Sequence, residues 1–301
     1  MKAMKKLLFI INPVAGKKHA GSSMYNVVKR FCDSGYSVTI AVTQYKGHAK
    51  ELGAIAAKEG FDLVVLTGGD GTLNEVTSGI VESRKSIPFG YLPAGSTNDF
   101  ARTLGISTIP LKSTEHIIQE IPTKLDMGEF NNGQQHFIYI ASFGAFTEVS
   151  YSAPQAAKNR FGHMAYLYEA IKDMKNLRAY NTTVTADGGR VYKGRYIFGS
   201  VTNTRSIAGL NTLYDKNVDL NDGMFEVMLI KEPKDPIDFS NIIQGLATTV
   251  QGNDMFEYFR ASELEFRMPK SAPWTCDGEE AKHKDGVIHI RNLHNALTIY
   301  K

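Results

Sequence analysis

A buried strand that runs without a break into glycine most restricts how this chain can fold. Residues 62–67 carry the apolar run Leu63–Leu66 and pass directly into Gly68-Gly69-Asp70-Gly71-Thr72, after which 73–81 carry helical spacing. A continuous apolar run bounded in this way suits a parallel strand covered on both faces. A glycine-rich turn between strand and helix also leaves backbone N–H groups open to an approaching oxyanion. The same rhythm repeats on either side. Residues 5–11 form an apolar run ended by Asn12-Pro13. Met24, Val27, Val28 and Phe31 fall at helical spacing before Gly35. Residues 36–42 read as a strand, 48–58 as an alanine-rich helix ended by Gly60, 88–92 as a strand, and 98–104 and 113–121 as helices. This alternation predicts a parallel sheet flanked by helices.

After Asp126 the period changes. Residues 136–142, 181–186, 190–202, 225–231, 263–267, 287–290 and 296–300 read as strands, several with the polar–apolar alternation of half-exposed antiparallel strands. Helical segments at 164–177 and 236–250 interrupt them. The expected fold is therefore an α/β N-terminal domain, residues 1–128, plus a β-rich, sandwich-like C-terminal domain, residues 129–301. The final strand is left open to packing back on the first domain. A length of 301 residues suits two cores better than one. With 43% hydrophobic and 22% charged residues, a disordered, collagen-like or coiled-coil chain is excluded. No apolar run approaches the ~20 residues of a membrane span. The basic start is followed by only a short apolar run and no small-residue cleavage site, so it reads as a strand rather than a signal peptide. Two cysteines give no disulfide framework or metal spacing, which suits a reducing compartment. A net charge of +3 is too small to argue for nucleic acid.

Three predicted strand ends converge in composition. The first closes in Asn12-Pro13-Val14-Ala15-Gly16-Lys17, the third in the glycine run, and the fourth in Pro93-Ala94-Gly95-Ser96-Thr97-Asn98-Asp99-Phe100. Ligands of open α/β sheets bind beyond the carboxyl ends of the strands, so small residues, hydroxyls and an amide along one rim point to a phosphate chain. Neither G-x-x-x-x-G-K-[ST] nor G-x-G-x-x-G is present, which leaves a P-loop NTPase and a standard dinucleotide fold unsupported.

Asn12-Pro13-x-x-Gly16, Gly-Gly-Asp-Gly-Thr-x-Asn-Glu and Gly95-x-x-Asn98-Asp99-Phe100 resemble, in order and separation, the catalytic domain of the diacylglycerol kinase family. More narrowly, the chain is similar to that family's soluble bacterial lipid kinases, relatives of sphingosine and ceramide kinases, over nearly its full length. The Gly-Gly-Asp-Gly-Thr element is shared with NAD kinases and phosphofructokinases, whereas Asn98-Asp99-Phe100 narrows the choice to lipid kinases. Many members have Gly-Thr-x-Asn-Asp where this chain has Gly95-Ser96-Thr97-Asn98-Asp99, which keeps a hydroxyl at position 96. The resemblance implies ATP and Mg²⁺ as cofactors, with transfer of the γ-phosphate to the hydroxyl of a membrane lipid, diacylglycerol giving phosphatidic acid. Carried over residue by residue, it places nucleotide contacts at Asn12, Pro13, Val14, Ala15, Gly16, Thr43, Gly68, Gly69, Asp70, Gly71, Thr72, Leu73, Asn74, Glu75, Ser96, Asn98, Asp99 and Asp126. Asp70, Asp99 and Asp126 would form the water-linked network around the nucleotide's Mg²⁺. A separate structural Mg²⁺ would take the Asp222 carboxylate and backbone carbonyls at Asp219 and Met224. From the residues alone, that second segment is equally a polar Asp-Gly turn.

With no Ser-His or Cys-His arrangement in view, the nucleophile is the substrate's own hydroxyl, helped by a carboxylate that accepts its proton. The resemblance puts this catalytic role on Glu279 of Asp277-Gly278-Glu279, alongside Asp70. Residues alone would give a hairpin turn there. A bilayer substrate implies a peripheral membrane partner and a cytoplasmic location at the inner face. Lys158, Arg160, Lys172, Lys175 and Arg178, with Phe161, Tyr166 and Tyr168, could supply the docking face, or simply a solvated helix. A homodimer is left open. The competing readings are a NAD kinase-like small-molecule kinase and a catalytically silent lipid-binding regulator.

Overall fold

The computed structural model describes residues 4–15, 20–96, 98–145, 177–204, 218–248 and 250–301. The chain divides into two compact units: residues up to Asp126 together with Asn295–Lys301, and Met127–His294.

Unit 1 is the expected α/β arrangement. Strands β1 (Lys5–Ile11), β2 (Tyr36–Val42), β3 (Leu63–Gly68) and β4 (Phe89–Pro93) pair in parallel in the order β4-β3-β1-β2. Helices α1 (Ala20–Asp33), α2 (His48–Lys58), α3 (Asp70–Glu82), α4 (Asp99–Leu104) and α5 (Pro110–Ile118) connect and cover them. The final residues return beside β4, with Ile299 of β15 (Val287–Tyr300) opposite Phe89 in parallel register. Because strand side chains alternate, Leu7, Phe9, Leu63 and Val65 share one face. They pack with Val27 and Phe31 of α1 and Ile117 of α5, all buried. Each such side chain contributes roughly 1.5–3 kcal/mol by leaving water. On the other face α2 and α3 meet almost backbone to backbone. A Cβ on Gly53 would lie 2.5 Å from the Val76 carbonyl oxygen, and one on Gly79 would lie 2.0 Å from that of Lys50. The Lys50–Glu82 ion pair, 2.8 Å, spans the same helices.

The stretch after α4 departs from the sequence reading. Helix α5 starts at Pro110 rather than at 113, since proline's fixed φ and missing N–H suit the first helical position. It ends by 118, and Pro122 then opens β5 (Pro122–Phe130), a strand that the sequence reading left as a junction.

Unit 2 is strand-rich and antiparallel. It contains β6 (Gln135–Phe137), β7 (Ile140–Gly144), β8 (Tyr180–Ala186), β9 (Arg190–Thr202), β10 (Phe225–Lys231), β11 (Phe256–Ala261), β12 (Glu263–Arg267), β13 (Trp274–Cys276), β14 (Glu279–Ala281) and the first part of β15. Long β9 serves several partners: its first half pairs with β8, its second half with β7 and β10. Burial follows this division, alternating to Arg195 and unbroken from Tyr196 to Thr202. Trp274 centres the core, with Phe130, Phe143 and Phe266 at ring-centroid distances of 5.6, 5.1 and 5.0 Å. Helix α6 (Pro236–Ala247) is capped by Asp235, whose Oδ1 accepts the N–H groups of Ile237 and Asp238 at 2.8 Å each. Strands β11, β13 and β14 were not read from the sequence, being short or lacking alternation. The predicted 164–177 helix and its basic cluster, apart from Arg178, lie outside the described residues.

Candidate active site

Unit 1 gathers the three strand-end loops at the carboxyl rim of its sheet. The Asn12 N–H donates to the Thr67 carbonyl at 3.0 Å, and Ala94 N–H donates to the Gly68 carbonyl at 2.8 Å, so the loops continue the strand pairing beyond β1, β3 and β4. The Asn12 side chain then ties two of them together: Nδ2 donates to Thr72 Oγ1 at 2.8 Å while Oδ1 accepts Val14 N–H at 3.0 Å. Gly69 and Gly95 are where two loops touch through backbone. A Cβ on Gly95 would meet Gly69 Cα at 2.6 Å and Asn98 Oδ1 at 2.9 Å. The approach requires glycine.

Asn98 adopts a left-handed conformation, φ 50°, and closes its own loop. Its Oδ1 accepts Gly95 N–H at 2.9 Å and its Nδ2 donates to the Gly95 carbonyl at 2.8 Å. The Tyr91 hydroxyl reaches up from inside β4 to the Gly68 carbonyl, 3.2 Å, and to Asn98 Oδ1, 3.3 Å. Burial pushes that phenol far above its ordinary range, with the Asp70 carboxylate adding to the effect. Sequence reasoning passed over Tyr91 because it sits in an all-buried strand; only its polar tip, in a run otherwise free of hydroxyls, marks it.

Asp70, the first residue of α3, accepts the N–H groups that open α4: Asp99 at 3.2 Å on Oδ2 and Phe100 at 3.4 Å on Oδ1. Its charge therefore sits at two helix N-termini, where the macrodipoles favour it. Both bonds are long for a charge-assisted hydrogen bond. Asp99, half-buried, has Arg102 Nη1 at 3.5 Å. A pair of hard oxygen donors on adjoining helix starts fits a magnesium ion carried by phosphates and water, which needs only one or two protein carboxylates. Pro13, Val14 and Ser96 are exposed, and Ala15 and Thr43 half-buried, all at loop positions after the strands, while Gly71 is exposed in the first turn of α3. Gly16 lies outside the described residues.

Four of the expected contacts also have partners inside the protein. Leu73 is fully buried and its N–H donates to the Gly69 carbonyl at 3.1 Å, so it belongs to the core. Asn74 Oδ1 accepts the Ser78 hydroxyl at 3.3 Å. Glu75 Oε1 accepts Gly47 N–H at 2.9 Å, which engages it with the β2–α2 turn. Asp126 is fully buried in β5, and its Oδ1 accepts Asn295 N–H at 2.7 Å, a tie between chain segments within the unit.

In unit 2, Asp277 and Gly278 have φ of 48° and 83°. Two successive positive values are what a two-residue type I′ hairpin requires, and Asp-Gly supplies them between β13 and β14. The Asp277 carboxylate accepts three backbone N–H groups: Ile138 at 2.8 Å, Tyr139 at 3.0 Å and Ile140 at 2.8 Å. Its own N–H donates to the Ile140 carbonyl at 2.8 Å. Glu279 follows at the start of β14, exposed, with Cys276 as its cross-strand partner. Burial raises the Cys276 thiol well above its usual value.

The segment expected to hold a second cation does not fit one. Asp222 Oδ1 accepts Met224 N–H at 3.0 Å, and Oδ2 takes a close ion pair with Arg260 Nη2. Arg260 Nε also stands 3.4 Å from the buried Glu226. A resident guanidinium beside the only carboxylate of the proposed set opposes a second positive charge. Asp219 is exposed, and among the described residues no cluster of three or more His, Cys, Asp or Glu is arranged to hold a metal.

Gly-rich loops at the carboxyl rim of a parallel sheet, with acidic residues at two helix starts, define a phosphate-handling α/β enzyme. The family model of the diacylglycerol kinase catalytic domain matches residues 6–130. The diacylglycerol kinase of Bacillus subtilis (strain 168) is 30% identical over 281 residues, 92% of this chain and 90% of that one. That of Staphylococcus aureus (strain MRSA252) is 31% identical over 228 residues, 76% of this chain and 71% of that one. This chain belongs to the diacylglycerol kinase family and is a kinase. In fold it follows a solved structure from Bacillus anthracis str. Sterne, with TM-score 0.82 at 24% identity over 100% of this chain and 96% of that chain. A diacylglycerol kinase structure from the same organism gives TM-score 0.76 at 21% identity over 100% and 98%.

Proposed function

We propose that the chain is an ATP- and Mg²⁺-dependent lipid kinase that phosphorylates the hydroxyl of a membrane lipid, with diacylglycerol converted to phosphatidic acid. The observation that carries this reading is the joining of the Asn12, Gly68–Thr72 and Gly95–Asp99 loops into one rim, with Asp70 at the start of both α3 and α4. Backbone N–H groups in the first turn of α3 have no partners within the helix, and they receive the phosphate chain. Asp70 and Asp99 would hold its metal, which when bound would neutralise phosphate charge.

The lipid hydroxyl attacks the γ-phosphorus, forming the new O–P bond as the bond to the β-phosphate oxygen breaks and ADP leaves. Glu279 accepts the hydroxyl proton, and Asp277 holds the turn that presents it. Among the described residues no helix is long and apolar enough to cross a membrane, and the reading has the enzyme visit the inner face of the membrane from the cytoplasm. Transfer of γ-³²P from ATP, with Mg²⁺, to diacylglycerol vesicles, to NAD or to no acceptor tests it. Label in phosphatidic acid is expected; label only in the NAD fraction, or in no product, defeats it. A panel of long-chain alcohols, including sphingoid bases and phosphatidylglycerol, then fixes the acceptor.

A further inference from the structure

The turn that leads into β10 is held by a cation that the chain carries itself. Leu220 and Phe225 are buried on either side of it, and Gly223 between them takes φ 79°. Asp222 stands in this turn with both oxygens engaged. Oδ1 accepts Met224 N–H at 3.0 Å, and Oδ2 pairs closely with Arg260 Nη2.

Arg260 comes from β11, where antiparallel register puts it directly across from Glu226 on β10. Glu226 is 1% exposed, and its Oε1 lies 3.4 Å from Arg260 Nε. Among the described residues its other oxygen, Oε2, is sealed and has no hydrogen-bond partner. One guanidinium thus lies between the turn's carboxyl and a buried one, with a different nitrogen toward each. Arg190 Nη2 donates to the Arg260 carbonyl at 2.7 Å, which steadies the strand from which the guanidinium reaches.

A divalent ion and this guanidinium would compete for the same carboxylate. Mg²⁺ demands near-ideal octahedral geometry, with oxygens at about 2.0–2.1 Å, and gives up water reluctantly. A guanidinium is weakly hydrated, stays charged, and offers a rigid fork of donors. In a turn backed by a buried acid, it is the cation more easily taken out of water.

We propose that Arg260 is the built-in replacement for the structural Mg²⁺ that the family resemblance assigns to Asp219, Asp222 and Met224. Unit 2 holds this turn with protein charge and takes up no divalent ion there. The consequence, which rests on the ATP-dependent reading above, is that Mg²⁺ acts on this chain only with its nucleotide.

Thermal unfolding of the full chain, without nucleotide or lipid, in EDTA and in millimolar Mg²⁺ tests the replacement. Wild type is expected to unfold at the same temperature in both. Arg260→Met, which keeps length and loses charge, should unfold several degrees lower in EDTA. It should recover part of that loss in Mg²⁺, because Asp222 is released to an outside cation. Adding Asp222→Asn should abolish the recovery, and Arg260→Lys, which keeps a charge, should stay indifferent to Mg²⁺. A Mg²⁺-induced rise in the wild type that Asp222→Asn removes overturns the proposal, as does a folded Arg260→Met chain that gains nothing from Mg²⁺. If Arg260→Met does not fold, equilibrium dialysis of wild type and Asp222→Asn against Mn²⁺ decides. Equal uptake supports the built-in cation, and lower uptake by the variant overturns it. No arm contains ATP, so a failure of the phosphoryl-transfer reading shows separately, in the label-transfer assay.

Discussion

Asp70 in unit 1 and Asp277 in unit 2 use the same device to opposite ends. Each is a carboxylate in a glycine-bearing turn that accepts backbone N–H groups from a different stretch of chain. Asp277 accepts three, none longer than 3.0 Å, and is committed to architecture. Asp70 accepts the Asp99 and Phe100 N–H groups at the longer distances of 3.2 and 3.4 Å, and both carboxylates are half-buried. In the proposed mechanism the tighter site leaves its chemistry to a neighbour, Glu279, and the looser one combines support with metal binding.

The sharpest break of that comparison comes from Glu279→Ala. Loss of a general base costs about 10²–10⁴-fold in rate, so phosphoryl transfer should collapse while ATP affinity, read by titration, holds. Undiminished turnover removes Glu279 from the role. Next in size is Gly95→Ala, whose Cβ would press on Gly69 and Asn98. Overpacking of about 1–3 kcal/mol is expected in urea unfolding, together with weaker ATP binding, because the two loops must part. Asp277→Ala leaves three N–H groups without their carboxylate and should cost about 1–3 kcal/mol by the same measurement. If activity falls as far as in Glu279→Ala while stability is kept, the scaffold assignment is wrong.

The smallest effect concerns pH. Burial, opposed by Arg260 and assisted by Asp222, pushes the Glu226 carboxyl up to about 8. The folded state therefore binds the proton more tightly than the unfolded one. Between the unfolded carboxylate value of 4.5 and about 8, this group's contribution to stability falls as pH rises. Glu226→Gln should flatten the dependence of Tm on pH in that window; an unchanged slope rejects the assignment.

Much of unit 1 was legible because β3 and β4 are buried throughout and β1 over its central residues, so apolar runs and the glycines or prolines after them coincide with element ends. The rim followed from the same glycines and from the resemblance. What stayed hidden depends on partners far along the chain. Arg260 reaches Asp222 only because β11 pairs with β10, and local spacing carries no trace of that register. Glu75, placed among the nucleotide contacts by its motif, also accepts the Gly47 N–H, a residue whose turn was visible but whose partner was not. Strands β13 and β14, three residues each, are too short to show a period. Their Asp-Gly turn was the better guide.

The chain's two cysteines sit in contrasting places: Cys32 is exposed on α1, while Cys276 is sealed beneath the hairpin that carries Glu279, its thiol raised by burial. Thiolate, not thiol, reacts with alkylating reagents. Labelling of Cys276 must therefore wait for the β13–β14 turn to lift, and Cys32 supplies an internal standard for reagent strength. The ratio of the two rates is a clock, already written into the native sequence, for how often the turn bearing the proposed base lets go of its sheet.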